Sequence, residues 1–222
     1  MRNRISKSCI SALIAGLAIH YAAPSLASGS EILNFRVLKD GEPIGYETVE
    51  ITPTATGQTV TVKTLTNVQV LFLKFHYDHQ RTEQWQDGKL VSVETTTNDD
   101  GTHYTWQASY DADCYMLSGK GVGKRDACDA AWPLTLWQEN VTGKTNLYSV
   151  INAEPYVVRT DKVGKEPVLI EAGETPATRY TMSGDVERDL WYGTDGKLLK
   201  TSFKRKGYDI DFIRVDANTL QK

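Results

Sequence analysis

The chain of 222 residues has few cysteines, no strong excess of charge of one sign, and no apolar run long enough to span a membrane. It carries 25 Lys and Arg residues against 28 Asp and Glu residues, which gives a formal net charge of -3. Nucleic-acid-binding domains show a marked excess of basic residues, so we predict no nucleic-acid partner. The hydrophobic fraction of 40% and the charged fraction of 24% are typical of one water-soluble globular domain.

The N-terminal segment has the three parts of a secretory signal peptide. Basic residues come first, an apolar stretch follows at 10–19, and small residues continue up to Ala27. That stretch has about ten residues, whereas a membrane-spanning helix needs about twenty. We therefore expect residues 1–27 to be a cleaved signal peptide, residues 28–222 to form a single β-barrel-like domain, and the protein to be exported to the periplasm.

Two cysteines, Cys114 and Cys128, follow the signal segment. A cysteine pair in an exported chain predicts a disulfide, and closing a loop of this length contributes about 3 kcal/mol in the chain-entropy model. The alternative is a pair of buried free thiols. No histidine or third cysteine lies at ligand spacing around the pair, so we predict no metal site.

Most of the remaining chain alternates apolar and polar residues with the period of two that is typical of β-strands. Asp-Gly pairs, which favour tight hairpin turns, separate several of the alternating segments. The predicted strands are Glu31 to Leu38, Tyr46 to Thr52, Gln58 to Val70, Lys74 to Gln86, Lys89 to Thr97, His103 to Tyr110, Thr145 to Arg159, Pro167 to Glu171, Thr178 to Gly184, Arg188 to Tyr192, Lys197 to Lys204 and Asp209 to Val215.

One part of the chain lacks this alternation. We predict a loop from Ser118 to Asp126 and a short helical turn near Ala130 to Asn140. Many strands without helical crossovers favour closure or strong curvature, because these arrangements protect sheet edges. The predicted fold is therefore all-β, an antiparallel meander forming a lipocalin-like barrel or a strongly curved half-barrel, with one irregular insertion around 114–140.

Three segments carry a resemblance to a known family. They are Trp85–Leu90, with the sequence WQDGKL, Trp132–Trp137, with WPLTLW, and Leu190–Leu198, which contains LWY followed by DGKL. Over about residues 31 to 215 the chain resembles an exported bacterial family of unknown function. That family is similar to periplasmic domains with Trp-Tyr-Asp-x-x-Gly hairpins and a curved half-barrel like that of lipoprotein carriers and lipocalins. Gly193 replaces the Asp of that pattern. The resemblance implies the fold and the compartment, but no activity.

The strand that ends at Trp85 combines charged residues with a large apolar face. His79, Arg81 and Glu83 alternate in step with Leu71, Leu73, Phe75, Tyr77 and Trp85. A two-residue turn at Asp87-Gly88 would place Arg81 opposite Glu94 in the next strand.

Two interpretations of this strand remain open at the sequence level. A bulge between Tyr77 and Trp85 would turn the polar residues to solvent, where Arg81 and Glu94 would form an exposed ion pair worth about 0 to 1 kcal/mol. Without such a bulge the charged group is buried, and it becomes a candidate for orienting a ligand in a cavity.

We predict a periplasmic binding or carrier protein for an apolar or amphipathic small molecule or envelope lipid, with transient contact with the envelope membrane. No cofactor, metal or catalytic residue is predicted. One alternative is a hydrolase or isomerase in which His79 works with Glu83 or Glu94 as acid-base partner and Arg81 stabilises an anion. Another is an envelope scaffold without a ligand. The candidate ligand-binding residues are Tyr77, His79, Arg81, Glu83, Trp85, Glu94 and Trp106.

Overall fold

Fifteen β-strands form one sheet in the computed structural model, which describes residues 29–70, 73–111, 114–120, 122–128 and 132–216. The predicted signal peptide lies outside these residues. Within the described ranges there is no α-helix, and none of the helical structure there is long and apolar enough to cross a membrane. A single short 3-10 helix, Glu139–Gly143, occurs in this part of the chain.

Outside the predicted insertion around 114–140 the strands follow the predicted alternation, although most of the predicted strand Pro167 to Glu171 belongs to one longer strand, Pro155–Ile170. Their bounds are β1 Glu31–Lys39, β2 Glu42–Pro53, β3 Gly57–Val70, β4 Leu73–Gln86, β5 Lys89–Asp99, β6 Thr102–Asp111, β7 Cys114–Lys120, β8 Gly123–Ala127, β9 Trp132–Pro133, β10 Asn146–Tyr148, β11 Pro155–Ile170, β12 Gly173–Gly184, β13 Arg188–Tyr192, β14 Leu198–Arg205 and β15 Tyr208–Val215. At the turn between β4 and β5, Asp87 and Gly88 have φ angles of 49° and 73°. Positive φ at both central residues is the backbone that Asp-Gly hairpin turns favour.

The sheet consists of two meanders that are joined in its middle by the pairing of the first strand with the last. Strands β1 to β8 lie side by side in chain order, β1 also pairs with β15, and β15 to β9 continue on the other side. Neighbouring strands are antiparallel, except at one edge, where the two-residue β9 lies parallel to β10. The predicted antiparallel meander is thus confirmed.

Strong curvature follows from the connection between the two edges. β8 ends at Ala127 and β9 begins at Trp132, although these strands are the opposite edges of the sheet. Their connection can span at most about 18 Å, whereas a flat sheet of this size would be about 65 Å wide. The sheet therefore curls until its edges come near each other, and it remains an unclosed barrel.

The concave face of the sheet encloses the main hydrophobic core and the segment that carries the 3-10 helix and the short strands β9 and β10. We call residues 132–153 the interior segment. Its backbone carbonyls accept hydrogen bonds from the walls: Trp106 Nε1 donates to Ile151 at 3.0 Å, and Tyr192 Oη donates to Leu136 at 3.1 Å. These bonds fix the interior segment to β6 on one side and to β13 on the other, so it fills one part of the barrel.

A second, smaller core lies on the convex face. Trp191 and Leu199 point outward from β13 and β14 and are buried with Val168 and Ala177 of the β11–β12 hairpin. Beyond this core, the Glu171 carboxylate lies 3.4 Å from the Arg36 guanidinium. The hairpin is therefore folded over the outside of the sheet.

The insertion is narrower than the sequence predicts. Part of the predicted loop belongs to β7 and β8, where Met116 pairs with Asp126 and Ser118 with Lys124. Glycines and charged residues interrupt the alternation there, as is common in edge strands, which use charge to avoid further pairing. The predicted strand from Thr145 to Arg159 is likewise divided into β10 and the start of β11.

Candidate functional site

The charged residues of β4 face the interior of the barrel. Trp85 pairs with Leu90, but the preceding Gln84 pairs with Ser92, so Val91 is an extra residue in β5. The bulge thus lies in the partner strand and leaves the alternation of β4 intact. His79, Arg81 and Glu83 are 2%, 7% and 0% exposed, so the interpretation as an exposed ion pair is wrong.

The same bulge displaces Glu94 from the predicted cluster. The register places Thr95 opposite Arg81 and Glu94 opposite Thr82. Because neighbouring residues of a strand face opposite sides, Glu94 lies on the exposed convex face. The prediction that Glu94 approaches Arg81 is wrong, and the cause is the single extra residue in β5.

Arg81 is held by three hydrogen bonds. Its Nε donates to Glu83 Oε1 at 2.7 Å and its Nη2 to Thr135 Oγ1 at 3.1 Å. Its Nη1 lies 2.9 Å from His79 Nε2. A guanidinium only donates, so Nε2 accepts, and the neutral imidazole donates from Nδ1 to Thr97 Oγ1 at 2.8 Å. Burial, and next the charge of Arg81, lower the pKa of His79 well below its usual range.

Glu83 joins this group to the aromatic core. Its Oε2 accepts hydrogen bonds from Trp85 Nε1 at 2.9 Å and from Trp137 Nε1 at 3.0 Å. The Trp85 ring also packs against Trp132, with 5.0 Å between the ring centroids. Two charges of opposite sign are therefore buried together with their remaining polar atoms satisfied. We call this group the polar network; it comprises His79, Arg81, Glu83, Trp85, Thr97, Thr135 and Trp137.

A cavity of about 410 Å³ lies between the polar network and the end of the barrel formed by the β1–β2, β5–β6 and β14–β15 turns. Of the predicted ligand-binding residues, it is lined by Tyr77, His79 and Arg81, while Glu83, Glu94, Trp85 and Trp106 lie outside it. Much of the wall is apolar, with contributions from strands and from the interior segment. The apolar lining residues include Val37, Ile44, Val68, Phe75, Leu134, Leu136, Val150, Ile151, Val186, Leu198, Phe203, Ile210 and Phe212.

Among the charged lining residues that are absent from the predicted set are Glu47 and Arg188. Glu47 accepts a hydrogen bond from Thr64 Oγ1 at 2.7 Å, and burial raises the pKa of this carboxyl. The Arg188 guanidinium lies over the Phe203 ring, with Cζ 4.5 Å from the centroid, and burial lowers the pKa of Arg188. Glu47 and Arg188 each alternate with buried apolar residues of their own strand. The same sequence pattern marks Arg81 as a candidate.

Charged residues of both signs surround the open end of the cavity. Arg205 forms an ion pair with Asp99 at 2.7 Å, and Lys39 forms one with Asp40 at 2.8 Å and lies 3.8 Å from the centroid of the Tyr208 ring. The Lys206 ammonium lies 4.7 Å from the centroid of Phe75. The cations of the mouth therefore lie against aromatic rings, and two of them are also paired with carboxylates.

Away from the cavity, Cys114 and Cys128 form the predicted disulfide. It joins the start of β7 to the residue that follows β8, so it closes the edge hairpin. No three His, Cys, Asp or Glu side chains converge as metal ligands would among the residues for which the structure gives positions.

The fold defines a class of strongly curved, β-barrel-like domains. A crystal structure described as the beta-barrel-like protein of domain of unknown function DUF1849 from Brucella abortus is similar, with a TM-score of 0.62 and 9% sequence identity. The alignment covers 84% of this chain and 96% of that chain, and at this identity it shows the fold alone. Among curated proteins, none matches significantly. Residues 35–215 match the family model described as domain of unknown function DUF6134, and the chain belongs to that family.

Proposed function

We propose that the protein is a periplasmic carrier that binds an apolar or amphipathic small molecule, such as an envelope lipid, inside the barrel. The observation that carries this proposal is the cavity of about 410 Å³ with its largely apolar wall. Binding sites for small molecules are typically concave, mostly apolar, and about 300 to 1,000 Å³ in volume, with a few polar groups that orient the ligand.

The polar network supports this role by forming one wall of the cavity. Arg81 and His79 reach the cavity while their hydrogen bonds hold β4, β5 and the interior segment together. A wall that is fixed in this way keeps the cavity open without a bound ligand, and binding then costs little ordering entropy.

Export and membrane contact complete the proposed function. The signal-like segment at 1–27 and the disulfide between Cys114 and Cys128 both suit an oxidising compartment such as the periplasm. The Lys206 ammonium, which lies over the Phe75 ring at the cavity mouth, would favour transient contact with an anionic membrane surface, from which a ligand could enter.

An acid-base enzyme is less well supported by the same geometry. Both ring nitrogens of His79 already have hydrogen-bond partners, and Glu94, one of the two predicted acid-base partners, lies on the opposite face of the sheet. A general base needs a nitrogen within reach of a substrate proton.

The proposal is tested with a neutral fluorescent probe, N-phenyl-1-naphthylamine, titrated into the purified mature protein. We expect saturable uptake by the wild type and about tenfold weaker uptake by Ile44→Trp, because Ile44 lines the cavity and a larger side chain would fill part of it. Tyr46→Trp is the matched control, since Tyr46 lies in the same strand on the exposed face.

Failure of the wild type to take up the probe, or equal uptake by both variants, would overturn the carrier proposal and favour the scaffold. If the wild type takes up the probe and Ile44→Trp does not, native mass spectrometry of protein purified from its own periplasm would identify the natural ligand by its mass.

A further inference from the structure

We propose that the ligand carries a single carboxylate head group, and that Arg188 on β13, rather than Arg81, binds it. This inference rests on the proposed carrier function and names the class of ligand that the cavity selects. It follows from a comparison of the hydrogen-bond partners of the two arginines that line the cavity.

Arg81 is already occupied by groups of the protein itself. Three of its nitrogens have partners, and its charge is balanced by Glu83 at 2.7 Å. An anionic ligand at this position would compete with a carboxylate that is fully buried and held by two indole donors. Arg81 therefore has little capacity left for an anion.

Arg188, by contrast, lacks hydrogen-bond partners of this kind. Its Nε is buried and has no hydrogen-bond partner, and within the described residues no carboxylate lies within ion-pair distance of its guanidinium. The guanidinium lies over the face of the Phe203 ring, which orients it without satisfying its donors. The cation is therefore partly desolvated without a nearby anion, which is costly, and a bound anion would remove that cost.

A second unsatisfied group lines the same cavity. Thr201 Oγ1 is buried without a partner, and Thr201 pairs with Leu190, two residues along β13 from Arg188. A carboxylate has two oxygens, and the flat guanidinium fork matches that shape. We therefore assign one head group to both donors, with the apolar chain directed along Phe203 and Phe212.

The charges around Arg188 favour a head group with one negative charge. The groups that interact with it electrostatically are Glu47 of β2, Tyr192 of its own strand, Tyr156 of β11 and Tyr77 of β4. Glu47 is the one carboxylate among them. A phosphate monoester would bring up to two negative charges into the neighbourhood of Glu47, whereas a carboxylate brings one.

The test uses three probes with the same ten-carbon chain: decanoate, decanol and decyl phosphate. Their affinities are measured by isothermal titration calorimetry on the wild-type mature protein and on Arg188→Met, which keeps the length of the side chain without its charge. Arg159→Met is the control, because Arg159 lies on the exposed surface of β11 and its loss changes the net charge equally.

We expect the wild type to prefer decanoate to both other probes. Arg188→Met should weaken decanoate binding about 10- to 100-fold, the range for a lost hydrogen-bonded charge, and leave decanol binding within about threefold. Arg159→Met should leave both affinities unchanged. Arg188→Met should also melt at or above the temperature of the ligand-free wild type, because it removes an unsatisfied buried group.

The outcomes separate the two proposals. Equal binding of decanoate and decanol by the wild type would overturn the carboxylate assignment and leave the carrier function standing, and so would a preference for decyl phosphate. Equal loss of decanoate and decanol in Arg188→Met would show that Arg188 shapes the cavity without binding the head group. Absence of binding by all three probes would overturn both proposals.

Discussion

The interior of the barrel has two parts, one packed and one hollow, and each contains an arginine on the concave face of a strand. In the packed part, Arg81 donates to Glu83, His79 and Thr135. In the hollow part, Arg188 lies against an aromatic ring, and its Nε has no partner. The comparison teaches that burial of a charge alone does not identify a binding group. The partners decide whether an arginine supports the structure or remains available to a ligand.

Removal of Arg81 should have the largest effect on stability. Arg81→Ala leaves the Glu83 carboxylate buried without its cation, and we expect a loss of about 3 to 5 kcal/mol in urea unfolding. Arg188→Ala, measured in the same way, should lose far less, because no carboxylate of the described residues lies within ion-pair distance of Arg188. Similar losses for the two variants would abolish the distinction between the packed and the hollow part.

Trp137→Phe should have the next largest effect. It keeps an aromatic ring in the core but removes one of the two indole donors to Glu83 Oε2. Hydrogen bonds to charged groups contribute about 1.5 to 3 kcal/mol, so we expect a loss in that range by urea unfolding. Trp191→Phe in the small outer core is the comparison, since the Glu166 it contacts is partly exposed. A smaller loss for Trp137→Phe than for Trp191→Phe would contradict the role given to the network.

Glu47→Gln tests whether the Glu47 carboxyl of the hollow part makes the stability of the protein depend on pH. The pKa of Glu47 is raised above its ordinary value of 4.5, so its ionisation opposes folding. The wild type should lose stability relative to the variant as the pH rises through the folded-state pKa, and the two should converge below about pH 4.5. Stability measured from pH 4 to 8 for both proteins checks this, and a constant difference across that range would exclude the effect.

The smallest effect is expected for a matched pair of threonines. Thr97→Val removes the hydrogen bond with His79 and should cost about 1 kcal/mol. Thr201→Val removes a buried hydroxyl that has no partner, so stability should stay within about 0.5 kcal/mol or rise slightly. Thermal unfolding of both variants decides this, and a larger loss for Thr201→Val would mean that its hydroxyl is satisfied in solution.

Much of the sheet could be predicted because alternation is a local property. The alternation in β4 was enough to predict which of its side chains share the apolar face. The Asp87-Gly88 pair was enough to predict the turn that follows this strand. The bulge at Val91 was not predictable, since β5 keeps a plausible pattern in either register. One residue was enough to move Glu94 to the opposite face.

The composition of the cavity depends on long-range pairing and could not be derived in this way. Glu47 and Arg188 are far apart in the chain, and they face one cavity because β1 pairs with β15 and the sheet curls. Each of the two is a charged residue at one of the alternating positions of its strand that are otherwise apolar. That pattern marks a candidate on its own strand but does not say what lies across the barrel.

The pairing of β1 with β15 also sets the order in which the protein can fold. Asn34 lies opposite Val215, so this contact closes one of the longest loops in the chain. Each half of the meander forms mainly from hairpins between sequence neighbours, which assemble quickly, whereas distant pairing is slow. We therefore expect two sheets to form first and join last. Until they join, both inner edge strands remain exposed to other chains, so the slow step is also the one most sensitive to protein concentration.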